Sequence, residues 1–333
     1  MRITAQVLHQ IARDYVAQQS RADRSLIAAY LQGSLLGDSF LLGGATDIDL
    51  FFIHTDDIRV PREVIRMSDE VHLDIAHLLQ ATYRQTRRLR IHPWLGPGVF
   101  GCKILYDPQH FLDFTQASVR GQFDQADNVL QRAHTLSGEA RQIWFDFHLE
   151  VRQPTAEDLL TFLKAVKKAA NAIASLSGPP LTERRLSLNF QKRAEMIGRP
   201  GLYAGLLGLL GAPAIDPEVL RSWLPAWQAA FGTLSPYQAL TRLHPHRREY
   251  YLRAFEALLS SPHPLDALWP LLYTWTETAG LLPVDTPEWQ SWQEAATQLG
   301  FTGPHFSDRL AALDAYLDTV EEALEVWGQE YGV

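Results

Sequence analysis

The sequence predicts an α+β protein in two parts, a sheet-containing N-terminal domain over residues 1–115 and an all-helical C-terminal domain over residues 116–333. Three observations predict it. Between Ser25 and Tyr106, short apolar runs alternate with turn residues, the pattern of strands. After about Gln116 the strand signal stops and apolar residues recur at spacings of three and four. The 333 residues, 46% apolar and 20% charged, are more than one core usually serves, and they exclude a disordered or collagen-like chain.

The elements follow in order. Thr4–Gln19 reads as an amphipathic helix. Strands are expected at Ser25–Gln32, Thr46–His54, Val64–Met67, Val71–His77 and Val99–Tyr106, with Ser68, Asp69 and Glu70 as a hairpin turn between the third and fourth. Helices are expected around Ser34–Leu41 and at Leu79–Arg90. In the second part, helix starts are marked by Thr155 with Asp158 three residues on, by Asp216–Pro217 and by Thr286–Pro287. Leu310, Leu313, Leu317, Val320 and Leu324 form one buried stripe on the last helix. Trp144, Phe145 and Phe147 read as core. The glycines of Gly201–Gly208 read as a close helix–helix contact.

Chemistry concentrates in one stretch. Leu31-Gln32-Gly33-Ser34 is followed, after twelve residues, by Asp47-Ile48-Asp49-Leu50. A strand ending in Gly-Ser and turning into a helix presents backbone N–H groups and a hydroxyl that can hold phosphate oxygens, and Gly33 permits close approach. Asp47 and Asp49 lie two apart on a strand, so both carboxylates leave the same face while Ile48 and Leu50 take the other. Hard oxygen ligands on a rigid face suit Mg²⁺. In Val71–Ala76, Val71, Leu73 and Ile75 share one face and Asp74 takes the other with His72. If this strand neighbours Thr46–His54, three acids converge as in two-metal phosphoryl-transfer sites.

A hydrophobic residue, Gly-Ser, a spacer, and Asp-hydrophobic-Asp-hydrophobic resembles the signature of the DNA polymerase beta-like nucleotidyltransferase superfamily. Gly33, Ser34, Asp47 and Asp49 match that motif residue by residue, Asp74 matches the third strand carboxylate, and Thr46 stands where many relatives have Ser. The run Lys103–Pro108 resembles the strand that closes the domain in small bacterial members. The resemblance covers about residues 1–115 and implies a mixed sheet flanked by helices. The helical second part is most similar in layout to the aminoglycoside nucleotidyltransferases, which adenylylate antibiotic hydroxyls.

The resemblance implies a Mg²⁺-dependent enzyme that moves a nucleoside monophosphate, AMP from ATP, to a hydroxyl of a small amino-sugar acceptor and releases pyrophosphate. Asp47, Asp49 and Asp74 would be the catalytic and metal-holding acids, with one or two ions. Gly33, Ser34 and Thr46 would lie on the nucleotide. Asp74 either completes a second metal position or accepts the acceptor's proton; a carboxylate beside two cations is a weak base, which favours the ligand role. On the helix expected at Leu159–Leu176, Lys164, Lys167 and Lys168 form one cationic stripe. Lys164 or Lys168 would reach the triphosphate, the alternative being a solvated face. The competing functions are nucleotidylation of a protein partner and a non-catalytic nucleotide-binding module.

Charge and cysteine content set further bounds. The net charge is −8, with no basic surface evident for a polyanion, so nucleic acid is not an expected partner. Residues 282–333 hold ten acids against Arg309 alone, a cluster that reads either as a solvated face or as a wall attractive to a cationic acceptor. The one cysteine, Cys102, cannot form an intrachain disulfide. The first twenty residues do not read as a signal peptide, and the longest uncharged apolar run, Gly201–Ile215, is too short to span a bilayer. A cytoplasmic setting without membrane partners is expected.

Overall fold

The computed structural model describes residues 3–37, 39–149, 154–235, 241–303 and 305–333. By internal packing the chain divides into two compact units, Met1–Asn128 and Val129–Val333. The fold is α+β, with a five-stranded mixed sheet in the N-terminal part and helices beyond it.

The first unit begins with α1 (Ala5–Ala22), started by the Thr4 hydroxyl accepting from the Val7 N–H. The strands are β1 (Leu26–Gln32), β2 (Thr46–His54), β3 (Arg62–Arg66), β4 (Val71–Leu79) and, after helices α2 (Gln80–Tyr83), α3 (Thr86–Ile91) and α4 (Leu95–Gly101), β5 (Lys103–Tyr106). Helix α5 (Phe111–Arg120) follows and straddles residue 115. The sheet order is β3-β4-β2-β1-β5. All neighbours run antiparallel except β2 and β4, which are parallel with Asp49 opposite Asp74.

Strand alternation divides the hydrophobic residues between two cores. Leu8, Ala12 and Val16 of α1 pack on one face of the sheet against Ile48, Leu50, Phe52, Val71, Leu73 and Ile75. On the other face, Tyr30 and Ile53 pack with Tyr83, Leu89, Val99, Cys102, Leu112 and Val119 from the helical segments. Asp47 and Asp49 belong to the same face as Phe51 and Ile53, nearer the start of β2.

Three expected elements differ. The helix around Ser34–Leu41 is a single 3-10 turn at Ser34–Leu36, followed by an isolated bridge between Leu42 and Ala45. Gly43 and Gly44, both with positive φ, support the tight return. The start of the strand expected at Val99–Tyr106 is helical, because Val99 buries against the second core and Phe100 stacks on Phe123 with ring centroids 4.4 Å apart. A short apolar run fits either state, and packing decides it. The helix expected at Leu79–Arg90 is two short ones, and β4 continues through Leu79.

The second unit contains most of α6 (Ala126–Leu149), then α7 (Ala156–Ser175), α8 (Leu186–Met196), α9 (Gly201–Leu209), α10 (Pro217–Gly232), α11 (Arg248–Leu259), α12 (Leu268–Ala279), α13 (Pro287–Gln298) and α14 (His305–Tyr331). The three expected helix starts carry their caps. Thr155 and Asp158 form a reciprocal capping box, Asp216 accepts from the Glu218 and Val219 N–H groups, and Thr286 accepts from the Trp289 N–H. Helix α7 is central, burying Phe162, Leu163, Val166 and Ile173 and packing on α8, α12 and α14. A Cβ on Gly205 of α9 would lie 3.0 Å from the Tyr316 ring of α14, so these helices approach closely there as expected. Of the aromatic set on α6, Trp144 donates to the Leu310 carbonyl at 3.1 Å and Phe147 meets Phe306 edge-on, but Phe145 is exposed. Phe145 is the neighbour of Trp144, and adjacent residues point about 100° apart on a helix. No described helix is long and apolar enough to cross a membrane.

Candidate metal centre

The β2–β4 pairing brings the predicted acids together. Asp47 and Asp49 leave one face of β2, and Asp74 stands opposite Asp49 on β4. One carboxylate oxygen from each lies within 4.8 Å of the others. Asp47 and Asp74 are buried and Asp49 is half-buried. Three negative groups this close repel unless cations lie among them.

One such cation belongs to the protein. Arg62, the first residue of edge strand β3, engages Asp74 through both prongs of its guanidinium, Nε to Oδ1 at 2.6 Å and Nη2 to Oδ2 at 2.9 Å. The sequence reading did not single out this arginine. Its only sequence signal is a charged residue opening a weakly apolar strand, which most edge strands share.

Gly33 fixes the other side of the cluster. It follows Gln32, whose register partner is Asp49, and takes φ +85° and ψ −160°, a region open essentially to glycine. A Cβ there would lie 1.9 Å from Asp49 Oδ2 and 2.9 Å from its Cγ. The backbone turn and the carboxylate therefore share space that only glycine leaves. The sequence predicts close approach of the backbone to a ligand at Gly33; the close neighbour in the structure is the Asp49 carboxylate.

The remaining predicted residues are placed differently. Ser34 is half-buried and its hydroxyl donates to the Phe40 carbonyl at 3.5 Å, holding the turn. The 3-10 turn is too short to supply the helix N-terminus expected for phosphate, leaving its backbone and the Ser34 hydroxyl. Thr46 is completely buried, its hydroxyl donating to the Asp47 carbonyl at 3.2 Å and its N–H to the Glu70 carbonyl at 2.8 Å. It steadies the start of β2, and its side chain does not reach solvent.

No family model matches the sequence, and no curated protein matches it.

In the helical unit, the lysine stripe on α7 divides among partners. Lys168 pairs with Glu139, Lys167 lies 5.5 Å from the Tyr273 ring centroid, and Lys164 is exposed. Four acids of α14 are likewise engaged. Arg141 binds Asp314 at 2.5 Å, Asp318 at 2.6 Å and both oxygens of Glu321 at 2.9 Å, and Arg199 binds Glu322 at 3.2 Å. These hydrogen bonds raise the Arg141 pKa further. Part of the charge read as a cation-attracting wall is thus neutralised within its own unit. In the same unit Arg184 and Arg247, both buried, lie 3.3 and 4.9 Å from the Tyr250 ring centroid.

The donor set decides which ion fits. Among the described residues the cluster consists of three carboxylates, hard oxygen donors suited to Mg²⁺, Mn²⁺ or Ca²⁺. Mg²⁺ retains open positions for water and phosphate oxygens when protein supplies only a few ligands. The residues fit such an ion, and the space that Gly33 leaves for Asp49 shows that the carboxylate position is built into the backbone.

Proposed function

We propose that the chain is a divalent-metal-dependent nucleotidyltransferase that transfers a nucleoside monophosphate from a triphosphate to an acceptor hydroxyl. The observation that carries this reading is the convergence of Asp47, Asp49 and Asp74 on one sheet face, with Gly33 packed against Asp49. Its second support is the order of these residues, Gly-Ser, then Asp-x-Asp, then a third strand acid, which resembles the polymerase beta-like superfamily.

A bound Mg²⁺ would supply charge neutralisation on the triphosphate and alignment of its α-phosphorus. Asp47 and Asp49 would hold that ion from one rigid strand, so little reorganisation would be needed at the moment of reaction. The backbone at Gly33, which lies beside Asp49, and the Ser34 hydroxyl would line the phosphate side. The acceptor oxygen would form a bond to the α-phosphorus, the bond from phosphorus to the pyrophosphate oxygen would break, and the hydroxyl proton would pass to solvent. Asp74, engaged by Arg62 or by an ion, is a weak base and would serve as the third metal-holding acid. The expected donor is ATP and the expected acceptor a small amino sugar.

Pyrophosphate release from Mg²⁺–ATP tests this, with a panel of amino-sugar acceptors and radiolabel on the α-phosphate. The expected result is acceptor-dependent release that Asp47→Ala abolishes. A labelled protein band in place of a labelled sugar assigns the acceptor to protein. Tight nucleotide binding with no release on any acceptor overturns the catalytic reading.

A further inference from the structure

We propose that Arg62 is a built-in competitor of the divalent cation, occupying Asp74 until a metal displaces it. The proposal rests on the metal-centre reading and adds a control on it.

Three features of the site lead there. First, the guanidinium takes both oxygens of Asp74, the same atoms from which the three-carboxylate set draws its third ligand. Second, the two partners differ in freedom. Asp74 is 3% exposed and lies in the middle of β4, whereas the Arg62 side chain is 53% exposed on the sheet edge. The arginine can swing into water and the carboxylate cannot follow it. Third, the reach is diagonal. Arg62 is in register with Ala76 and Val64 with Asp74, so Arg62 lies on the Asp74 face but two residues along β4. Its stem runs along the sheet toward the acid and has an alternative course outward.

A carboxylate has enough lone pairs to hold both an arginine fork and one metal bond. What opposes joint occupation is charge: a guanidinium and a divalent ion on one carboxylate repel, by an amount that corresponds to roughly tenfold in affinity at ordinary screening. With Arg62 seated, both oxygens of Asp74 are engaged. With Arg62 displaced, Asp74 completes the set. The protein then resists metal loading until a bound polyphosphate adds its own negative charge, which ties a complete centre to the presence of nucleotide.

Mn²⁺ binding to the full chain without nucleotide, followed by electron paramagnetic resonance of the free ion at low ionic strength, is the test. Arg62→Gln is expected to bind Mn²⁺ about tenfold more tightly than the unsubstituted protein. Arg62→Lys, which keeps the charge that Asp74 needs but loses the fork, is expected to gain about threefold and stands in should the glutamine variant not fold. In an Asp74→Asn background the arginine substitution is expected to make no difference. Equal or weaker Mn²⁺ binding in both Arg62 variants overturns the proposal, weaker binding making Arg62 a residue that merely positions Asp74. Absence of Mn²⁺ binding by every variant overturns the metal-centre reading itself, which separates the two failures.

Discussion

Gly33→Ala is the sharpest single perturbation of the site. At φ +85° and ψ −160° an alanine pays about 1–3 kcal/mol of backbone strain. Its Cβ would also fall 1.9 Å from Asp49 Oδ2, well inside any real contact. The carboxylate is the far end of a half-buried side chain, so it moves and the strands stay. The strain then appears in stability and the displacement in metal binding. For a unit of this size the melting temperature should fall by roughly 5–10 °C, and Mn²⁺ affinity should drop by at least about tenfold as one of three ligands is lost. Circular dichroism melts and Mn²⁺ titration on the same samples measure both. In an Asp49→Ala background the clash is gone and only the strain remains, so the stability loss persists while Gly33→Ala no longer affects metal binding. Wild-type Mn²⁺ affinity in Gly33→Ala would refute the reasoning, because Asp49 would then not be held where the backbone turn places it.

Other predictions concern the rest of the chain. Burial and the neighbouring His77 ring lower the His54 pKa below its usual 6.5, against a smaller opposing effect of Asp23. The unfolded chain therefore binds the extra proton first, and stability falls as pH drops below that value. Urea midpoints from about pH 7.5 to about pH 5.5 should show the decline, and His54→Gln should flatten it. Burial pushes the Cys102 thiol up to about 12, so a thiol reagent in mildly alkaline buffer should label the native protein far more slowly than the denatured chain. Fast native labelling would contradict the packing of Cys102 in the second core. Arg141→Ala removes the cation that Asp314, Asp318 and Glu321 share, and should cost about 1 kcal/mol at low salt in chemical denaturation, these acids being partly exposed. Added salt should shrink the difference, since the three acids are left to repel one another.

The parts of the fold legible in the sequence are those where one physical signal dominates. Strand β2 runs from Thr46 to His54 as read, because strict alternation places Ile48, Leu50 and Phe52 on the α1 face. The helix starts at Thr155, Asp216 and Thr286 were legible because a cap is a local hydrogen bond. Edge strand β3 begins at Arg62, two residues before the reading, since only Val64 and Ile65 give it an apolar signal. The segment at Val99–Gly101 was read as strand because its apolar run does not reveal that Phe100 will meet Phe123. The same distinction holds at the site. The spacing of Asp47 and Asp49 gives their common face directly, and the face of Asp74 follows from its own strand. The parallel register that sets Asp49 against Asp74, and the diagonal reach of Arg62, depend on strand pairing, which no local pattern encodes.

The most direct measurement is calorimetric binding of a non-hydrolysable ATP analogue to the full chain, with and without Mg²⁺, for the unsubstituted protein and Asp49→Asn. The account predicts binding that requires Mg²⁺ and is lost or weakened at least about tenfold in Asp49→Asn, whose fold remains intact by circular dichroism. Equal binding with and without Mg²⁺, or equal binding by the two proteins, would contradict it.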